Sequence, residues 1–338
     1  METRVAEWYF SSPLRIPGFL QQALLSAYIV AYHGLETLAG RRPSSPVPED
    51  AAIAEHSGEL MRMHYDMPRP MFEHMLGATM KYSAGLWEAG ARTLEDAQEA
   101  MLADIVAKLG LRDGERVLDI GCGFGSFAAH VLRRFPRVRV HGLTLSRVQA
   151  DYLREKQRTA GNPLCSDRFT VIEADFNTVQ LGETFDRVVS IGVFEHVTNL
   201  GAALAKIRTF LASGGYCLLH YIVFRRLVHR PGLSVRQDAF MDRYIFPGGR
   251  IWFEDELAGH LGPFVQERFW FLNGMNYKRT LEAWLDNLLR HLGAIQAEAG
   301  LSARQLRIWE VYLRACIGLF ALRGGRAYGN GQYLLRPV

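Results

Sequence analysis

The sequence predicts an α/β fold, a doubly wound and mostly parallel sheet covered by helices on both faces. Two observations predict it. Between Arg116 and Val223 short apolar runs alternate with helical patterns, the rhythm of strand–helix–strand units. That alternation implies a parallel sheet covered on both faces. Finally, "RVLDIGCGFGSFAAHVL", residues 116–132, passes through three alternating glycines where a first strand hands over to a first helix.

Taken in order, the elements begin with "ALLSAYIVAYHGL" from Ala23. It is too short and too interrupted to span a bilayer. It reads as an amphipathic helix packed on the body, with contact to a membrane surface as the alternative. "GRRPSSPVPED", residues 40–50, is rich in Pro and Ser and reads as a linker, so residues 1–50 form a helical arm and linker. Helical patterns return from Ala51 to Leu76 with a break at "MPRP". A further helix starts at Thr93, with Asp96 completing an acidic capping box and Gly110 ending it. Residues 51–110 are therefore expected to be a helical cap region, and residues 111–338 the main domain.

Within that domain "RVLDI" is a buried strand and residues 124–135 are a helix. "RVHGLTL" from Arg139 is a strand, and Ser146 caps a helix to about Ala160. "RFTVIEAD" from Arg168 and "FDRVVSIGVF" from Phe185 are the third and fourth strands. Residues 200–211 are a helix, and "GYCLLHYIV" from Gly215 is the fifth strand. The rhythm breaks over about 224–262, an insertion across the sheet's ligand edge. "FVQERFWFLN" restores a strand, helices follow near 281–292 and 303–322, and "GQYLLRPV" closes the sheet.

The formal net charge is +4 over 338 residues, with no dense basic stripe of the kind a nucleic-acid binder carries. The four cysteines, Cys122, Cys165, Cys217 and Cys316, form no CxxC pair. They read as reduced thiols in a cytoplasmic protein, and no metal site is expected. Glu2 and Glu7 precede any apolar run, which argues against a signal peptide.

The glycine loop points to a ligand. Gly121, Gly123 and Gly125 leave the backbone bare, and a helix N-terminus adds partial positive charge. The spacing is GxGxG. A dinucleotide site would show GxGxxG and an acid at the end of the second strand. Here that strand ends in "GLTLS", with Thr144 and Ser146 and no acid. Asp119 beside the loop suits a ligand carrying a cation, such as the amino group of S-adenosylmethionine. Asp175 ends the third strand, where it can accept from an adenine amino group.

With these residues in place, the chain resembles the cyclopropane fatty acid synthases and mycolic acid methyltransferases, a superfamily that includes the coclaurine-type N-methyltransferases. The resemblance runs from about His56 onward. It rests on "HYDMPRPMFEHML", "MKYSAGLWE", "TLEDAQEAML", "VLDIGCGFGSFA", "GLTLSRVQ", "FDRVVSIGVFEHV", "LLHYI", "YIFPGG", "NYKRTLEAWL" and "YLRACIGLF", in that order. It implies the class I S-adenosylmethionine-dependent methyltransferase fold, Rossmann-like, with a seven-stranded sheet and a helical insertion over the acceptor site. It also implies a division of labour at the cofactor: Tyr82 and Ser83 over its methionine end, Gly121 and Gly123 along its backbone, Thr144 and Gln149 at the ribose, Asp175 and Phe176 at the adenine, and Ile191 under the sulfonium.

In the family's lipid enzymes the resemblance implies a bicarbonate held by a Cys, a Glu, a His, a backbone amide and a Tyr. The matching positions are Ala84, Glu195, His220, Ile222 and Tyr277, so the Cys is missing. That departure weakens the cyclopropanation reading, because a buried anion needs its donors. For an amine acceptor, Glu195, His196 and His220 are the candidates for acid–base work, since a His near its reference pKa takes a proton at neutral pH. The plainer alternatives are a core histidine for His220, a brace for Glu195 in His196, and packing for Tyr277. Trp252 and Phe269–Phe271 either line the acceptor pocket or pack in the core. "FRRLVHRPGLSVR", residues 224–236, suits a phospholipid headgroup or a solvated loop, and Cys122 is a small spacer. The leading reading is N-methylation of a hydrophobic amine. The alternatives are methylation or cyclopropanation of an unsaturated lipid chain, and a cofactor-binding protein without catalysis.

Overall fold

The computed structural model describes residues 3–12, 14–39, 51–55, 65–225, 235–236 and 249–338. The linker expected over 40–50 and most of the basic segment 224–236 lie outside them. Five parallel strands form the centre of the sheet: β1 (Arg116–Ile120), β2 (Arg139–Thr144), β3 (Phe169–Glu173), β4 (Phe185–Ile191) and β5 (Leu211–Phe224). They lie in the order β3-β2-β1-β4-β5. Two short strands in the insertion, β6 (Val235–Arg236) and β7 (Arg250–Phe253), extend the far end of β5. β8 (Phe264–Asn273) and β9 (Tyr328–Pro337) complete the other side, with β9 antiparallel between β5 and β8. The seven strands expected from the sequence are all present, and β6 and β7 are additions to them.

Helices cover both faces. On one side are α4 (Leu94–Leu109), α5 (Ser126–Arg134) and α6 (Arg147–Lys156), joined by α8 (Met275–Arg290) and α10 (Ala303–Ala321) around one apolar core. On the other side α7 (Leu200–Phe210) packs on β1, β4 and β5 through Leu204, Ile207 and Phe210. The remaining helices are α1 (Thr3–Ser11), α2 (Gly18–Ala39), α3 (Arg69–Leu76) and α9 (Leu292–Ala299). Local chemistry sets the helix ends. Thr93 Oγ1 accepts from the Asp96 amide while Asp96 accepts from the Thr93 amide, and Gly110 closes α4 in the left-handed region. Ser146 caps α6 through the Gln149 amide.

α2 lies along α10. Gln22 Nε2 donates to the Arg314 carbonyl at 3.0 Å, and a Cβ on Gly318 would sit 2.9 Å from Ile29. The other side of the arm stays open, with Trp8, Phe19 and Leu24 exposed. Among the described residues no helix is long and apolar enough to cross a membrane.

Candidate active site

Every strand of the parallel core ends on the same edge, and the candidate residues gather there. The turn after β1 is tied down by two amides: Gly121 N and Cys122 N both donate to the Leu143 carbonyl of β2, at 2.8 and 3.0 Å. Gly121 and Gly123 have φ of +73° and +57°, a region that L side chains avoid. Their reasons for being glycine differ. A Cβ on Gly121 would stand 2.2 Å from Val193 Cγ2, whereas one on Gly123 would meet nothing within 4 Å. Gly121 makes room for the chain leaving β4. Gly123 leaves the cavity wall bare.

That cavity is lined by Tyr82, Ser83, Asp119, Gly121, Gly123, Thr144, Gln149, Asp175, Phe176 and Ile191, so all ten residues assigned to the cofactor meet in one place. Asp119 is buried, and its Oδ2 has no hydrogen-bond partner among the described residues. Burial raises its carboxyl to about 7. A buried acid left in this state calls for a cationic ligand. Thr144 Oγ1 donates to Gln149 Oε1 at 2.7 Å, which fixes both side chains against the cavity. Asp175 Oδ1 accepts from the Asn177 amide and side chain at 2.8 and 2.9 Å. These residues fit a ligand with a cationic group at Asp119 and a flat polar group near Asp175 and Phe176.

A second cavity adjoins the first, and the two share Tyr65, Tyr82, Ser83, Gly192 and His196 as walls. Glu195, His196, His220, Ile222 and Tyr277, the residues expected to do chemistry, all line it. Glu195 and His196 lie in a single 3-10 turn, Phe194–His196, after β4. Trp252 pins that turn by donating from Nε1 to the Phe194 carbonyl at 2.8 Å. Trp252 is core, and Phe269 and Phe271 pack beside the same core, so none of the three lines the cavity.

Glu195 Oε1 accepts from the Ile222 amide at 2.8 Å, and its Oε2 has no partner among the described residues. Burial raises Glu195 to about 7. His196 Nε2 meets the Tyr65 hydroxyl at 2.8 Å, with the rings edge to face. Burial holds His196 at about 4. Burial, helped by the Lys81 and Lys108 ammonium groups, holds His220 well below its ordinary range. The expectation of a histidine titrating near neutrality is therefore corrected. Burial favours the neutral form of both rings, because it withdraws the solvation that an imidazolium needs. Among the acid–base candidates of this second cavity, Glu195 is the one that burial brings to neutrality.

The segment carrying Tyr82 and Ser83 has no regular structure, yet it is clamped. Gln98 Nε2 donates to the Lys81 carbonyl, Gly85 N donates to Thr280 Oγ1 at 2.9 Å, and Trp87 N donates to Asn276 Oδ1 at 2.8 Å. Two functional candidates escaped the sequence reading. Lys81 is 1% exposed, its Nζ donates to Ser83 Oγ and the Ala84 carbonyl at 2.5 and 2.7 Å, and burial lowers it to about 7. Gln332 of β9 meets His220 Nδ1 at 3.1 Å. The signals were a lysine inside the "MKYS" run and a glutamine inside the closing "GQYLLRPV" strand.

Comparison with known proteins decides the family. The profile described as mycolic acid cyclopropane synthetase matches residues 54–325. The chain belongs to that family. It is 34% identical over 262 residues to the cyclopropane-fatty-acyl-phospholipid synthase of Escherichia coli K12, covering 77% of this chain and 64% of that enzyme. The chain thus spans less than two thirds of that relative's length. It is 26% identical over 283 residues to the (S)-coclaurine N-methyltransferase of Papaver somniferum, covering 78% of this chain and 76% of that one. The solved structure of mycolic acid cyclopropane synthase CmaA1 complexed with SAH and CTAB superimposes with a TM-score of 0.70 at 27% identity, over 83% of this chain and 98% of that one. The fold is accordingly the class I methyltransferase fold.

Membership makes the bicarbonate question concrete. Ala84 is fully buried and offers no side-chain donor, and the Ile222 amide already donates to Glu195. Of the five positions, only His220 and Tyr277 remain to donate, beside a carboxyl that ionises near neutrality. This donor set fits bicarbonate poorly.

Proposed function

We propose that this chain transfers a methyl group from S-adenosylmethionine to the nitrogen of a hydrophobic amine. The observation that carries the reading is Glu195: a buried carboxyl with one unpartnered oxygen among the described residues, in a cavity walled by Tyr65, Tyr82 and Tyr277 and adjoining the glycine-loop cavity. S-adenosylmethionine, when bound, supplies a methyl on a sulfonium, which passes to a nucleophile as the C–S bond breaks and its electron pair stays on sulfur. Asp119 holds the ligand's ammonium, Gly123 admits its close approach, and Asp175 accepts from its adenine amino group. Tyr65, Tyr82 and Ser83, from the region expected to form a cap, line both cavities and cover the acceptor where it meets the cofactor.

The amine enters as an ammonium. Glu195 in its carboxylate form takes that proton at Oε2, which frees the nitrogen lone pair and leaves a neutral, cheaply buried acid. The aromatic faces around it stabilise the cationic amine before and after transfer. Positioning in a dry pocket does most of the remaining work.

A second reading, modification of an unsaturated acyl chain, is favoured by the meeting of Glu195, His220 and Tyr277 in one cavity and by the E. coli relative. One experiment separates them. The protein is given S-adenosylmethionine with a trideuterated methyl, together with hydrophobic amines and cis-unsaturated phospholipids. An amine product retaining all three deuteriums supports the lead. A lipid product lacking one deuterium overturns it, because the transferred carbon has then been deprotonated.

A further inference from the structure

His220 is a candidate for acid–base work, and its neighbours assign its proton. Lys108 Nζ donates to Gln332 Oε1 at 2.6 Å, and Gln332 Nε2 lies 3.1 Å from Asp104 Oδ2 and 3.1 Å from His220 Nδ1. Lys108 and Asp104, one turn apart on α4, pair at 2.8 Å. An ammonium only donates and a carboxylate only accepts. The reverse amide orientation would set NH2 against NH3+ and oxygen against carboxylate, so the two charges lock Gln332 with its NH2 toward the histidine. His220 Nδ1 must then accept, and the neutral ring carries its proton on Nε2. Nε2 is buried with no partner among the described residues, and His220 lines the acceptor cavity. The β5–β9 register places His220 directly opposite Gln332.

We propose that Gln332 is a positioning residue that fixes His220 as a hydrogen-bond donor, and that the cavity selects acceptors bearing a lone-pair oxygen, such as a phenol or ether, beside the atom to be methylated. Two of the cavity's polar atoms that lack a partner among the described residues, on Glu195 and His220, are complementary. Glu195 Oε2 accepts and His220 Nε2 donates, and an amine that also carries an oxygen satisfies both. The substrate half of the proposal rests on the methyl-transfer reading above. The tautomer half does not.

Two measurements test it. In the full chain labelled with 15N-histidine, a long-range proton–nitrogen spectrum reads the protonation of each ring nitrogen, with the His220 signals assigned by their loss in His220→Asn. The expected result is an unprotonated Nδ1 and a protonated Nε2. Gln332→Glu presents a carboxylate to Nδ1 and should move the proton there. The double change Asp104→Asn with Lys108→Met releases the amide lock from outside the cavity and should give a mixture, which covers the case of a Gln332→Glu protein that fails to fold. A protonated Nδ1 in the unaltered protein overturns the proposal, as does a tautomer indifferent to the variants that fold. For the substrate half, matched amines differing in one oxygen should differ in kcat/KM by about tenfold, the cost of leaving one buried donor unpaired. Gln332→Glu should erase that preference. Equal kcat/KM in the unaltered protein removes the specificity claim while leaving the tautomer intact, and absence of any amine turnover removes the methyl-transfer reading and the specificity claim that rests on it.

Discussion

Glu195→Gln should make the protein more resistant to unfolding at alkaline pH and change it little in acid. The Glu195 carboxyl moves from 4.5 to about 7 on folding because burial penalises its charged form. A raised carboxyl is stabilising below its unfolded pKa, and that contribution is lost as pH rises through the folded value. At pH 8.5 the buried carboxylate costs roughly 3 kcal/mol, and at pH 5 the residual effect is below about 1 kcal/mol. The amide keeps an oxygen for the Ile222 N–H, which Glu195 accepts at 2.8 Å, and any cost of its NH2 is the same at both pH values. Other titrating groups, Asp119 included, are common to both proteins and cancel. The stability of the variant relative to the unaltered protein should therefore rise by roughly 2–3 kcal/mol between pH 5 and pH 8.5. Urea unfolding at the two pH values, with linear extrapolation, measures it. A difference that stays constant with pH would refute the argument, since Glu195 could not then be ionising inside a closed cavity.

Further outcomes follow from the same geometry. Asp119→Asn should weaken S-adenosylhomocysteine binding at least tenfold by calorimetry, because a charge-assisted partner of the ligand's ammonium is removed. Gly121→Ala should destabilise the fold by about 2 kcal/mol or more, given a Cβ at 2.2 Å from Val193 and φ of +73°. Gly123→Ala has room in the free protein, so its main effect should be lost ligand affinity, with a stability change near 1 kcal/mol in denaturant. Thr93→Ala removes the α4 capping box and should cost about 1 kcal/mol, read as a small drop in thermal midpoint with binding unaltered.

Much of the fold and the ligand site was legible because the signals are local. The glycines, Asp119, the Thr93–Asp96 box and the apolar strand runs each announce themselves within a few residues. Membership of one cavity by Glu195, His220 and Tyr277 came from resemblance, and the strand ends explain it. What stayed hidden depends on partners remote in sequence. Gln332 acquires its meaning from α4 and β5, and Lys81 from a burial that a lysine does not announce in sequence. The depressed basicity of His196 was equally out of reach, since it follows from burial beside Tyr65, not from the "EH" pair itself. Trp252 was weighed for the cavity because an aromatic in the insertion looks like a lining residue. Its indole instead anchors the Phe194 carbonyl.

The position of β9 has a kinetic consequence. It is the last of the described strands in sequence, yet it lies inside the sheet, between β5 and β8. His220 and Gln332 are 112 residues apart along the chain. Contacts of such long range close slowly, since the intervening loop must lose its freedom before any pairing rewards it. Until β9 docks, β5 and β8 each present a bare edge to neighbouring chains. The most aggregation-prone intermediate on the folding path is thus expected to be the one whose acceptor cavity still lacks its proton-fixing glutamine.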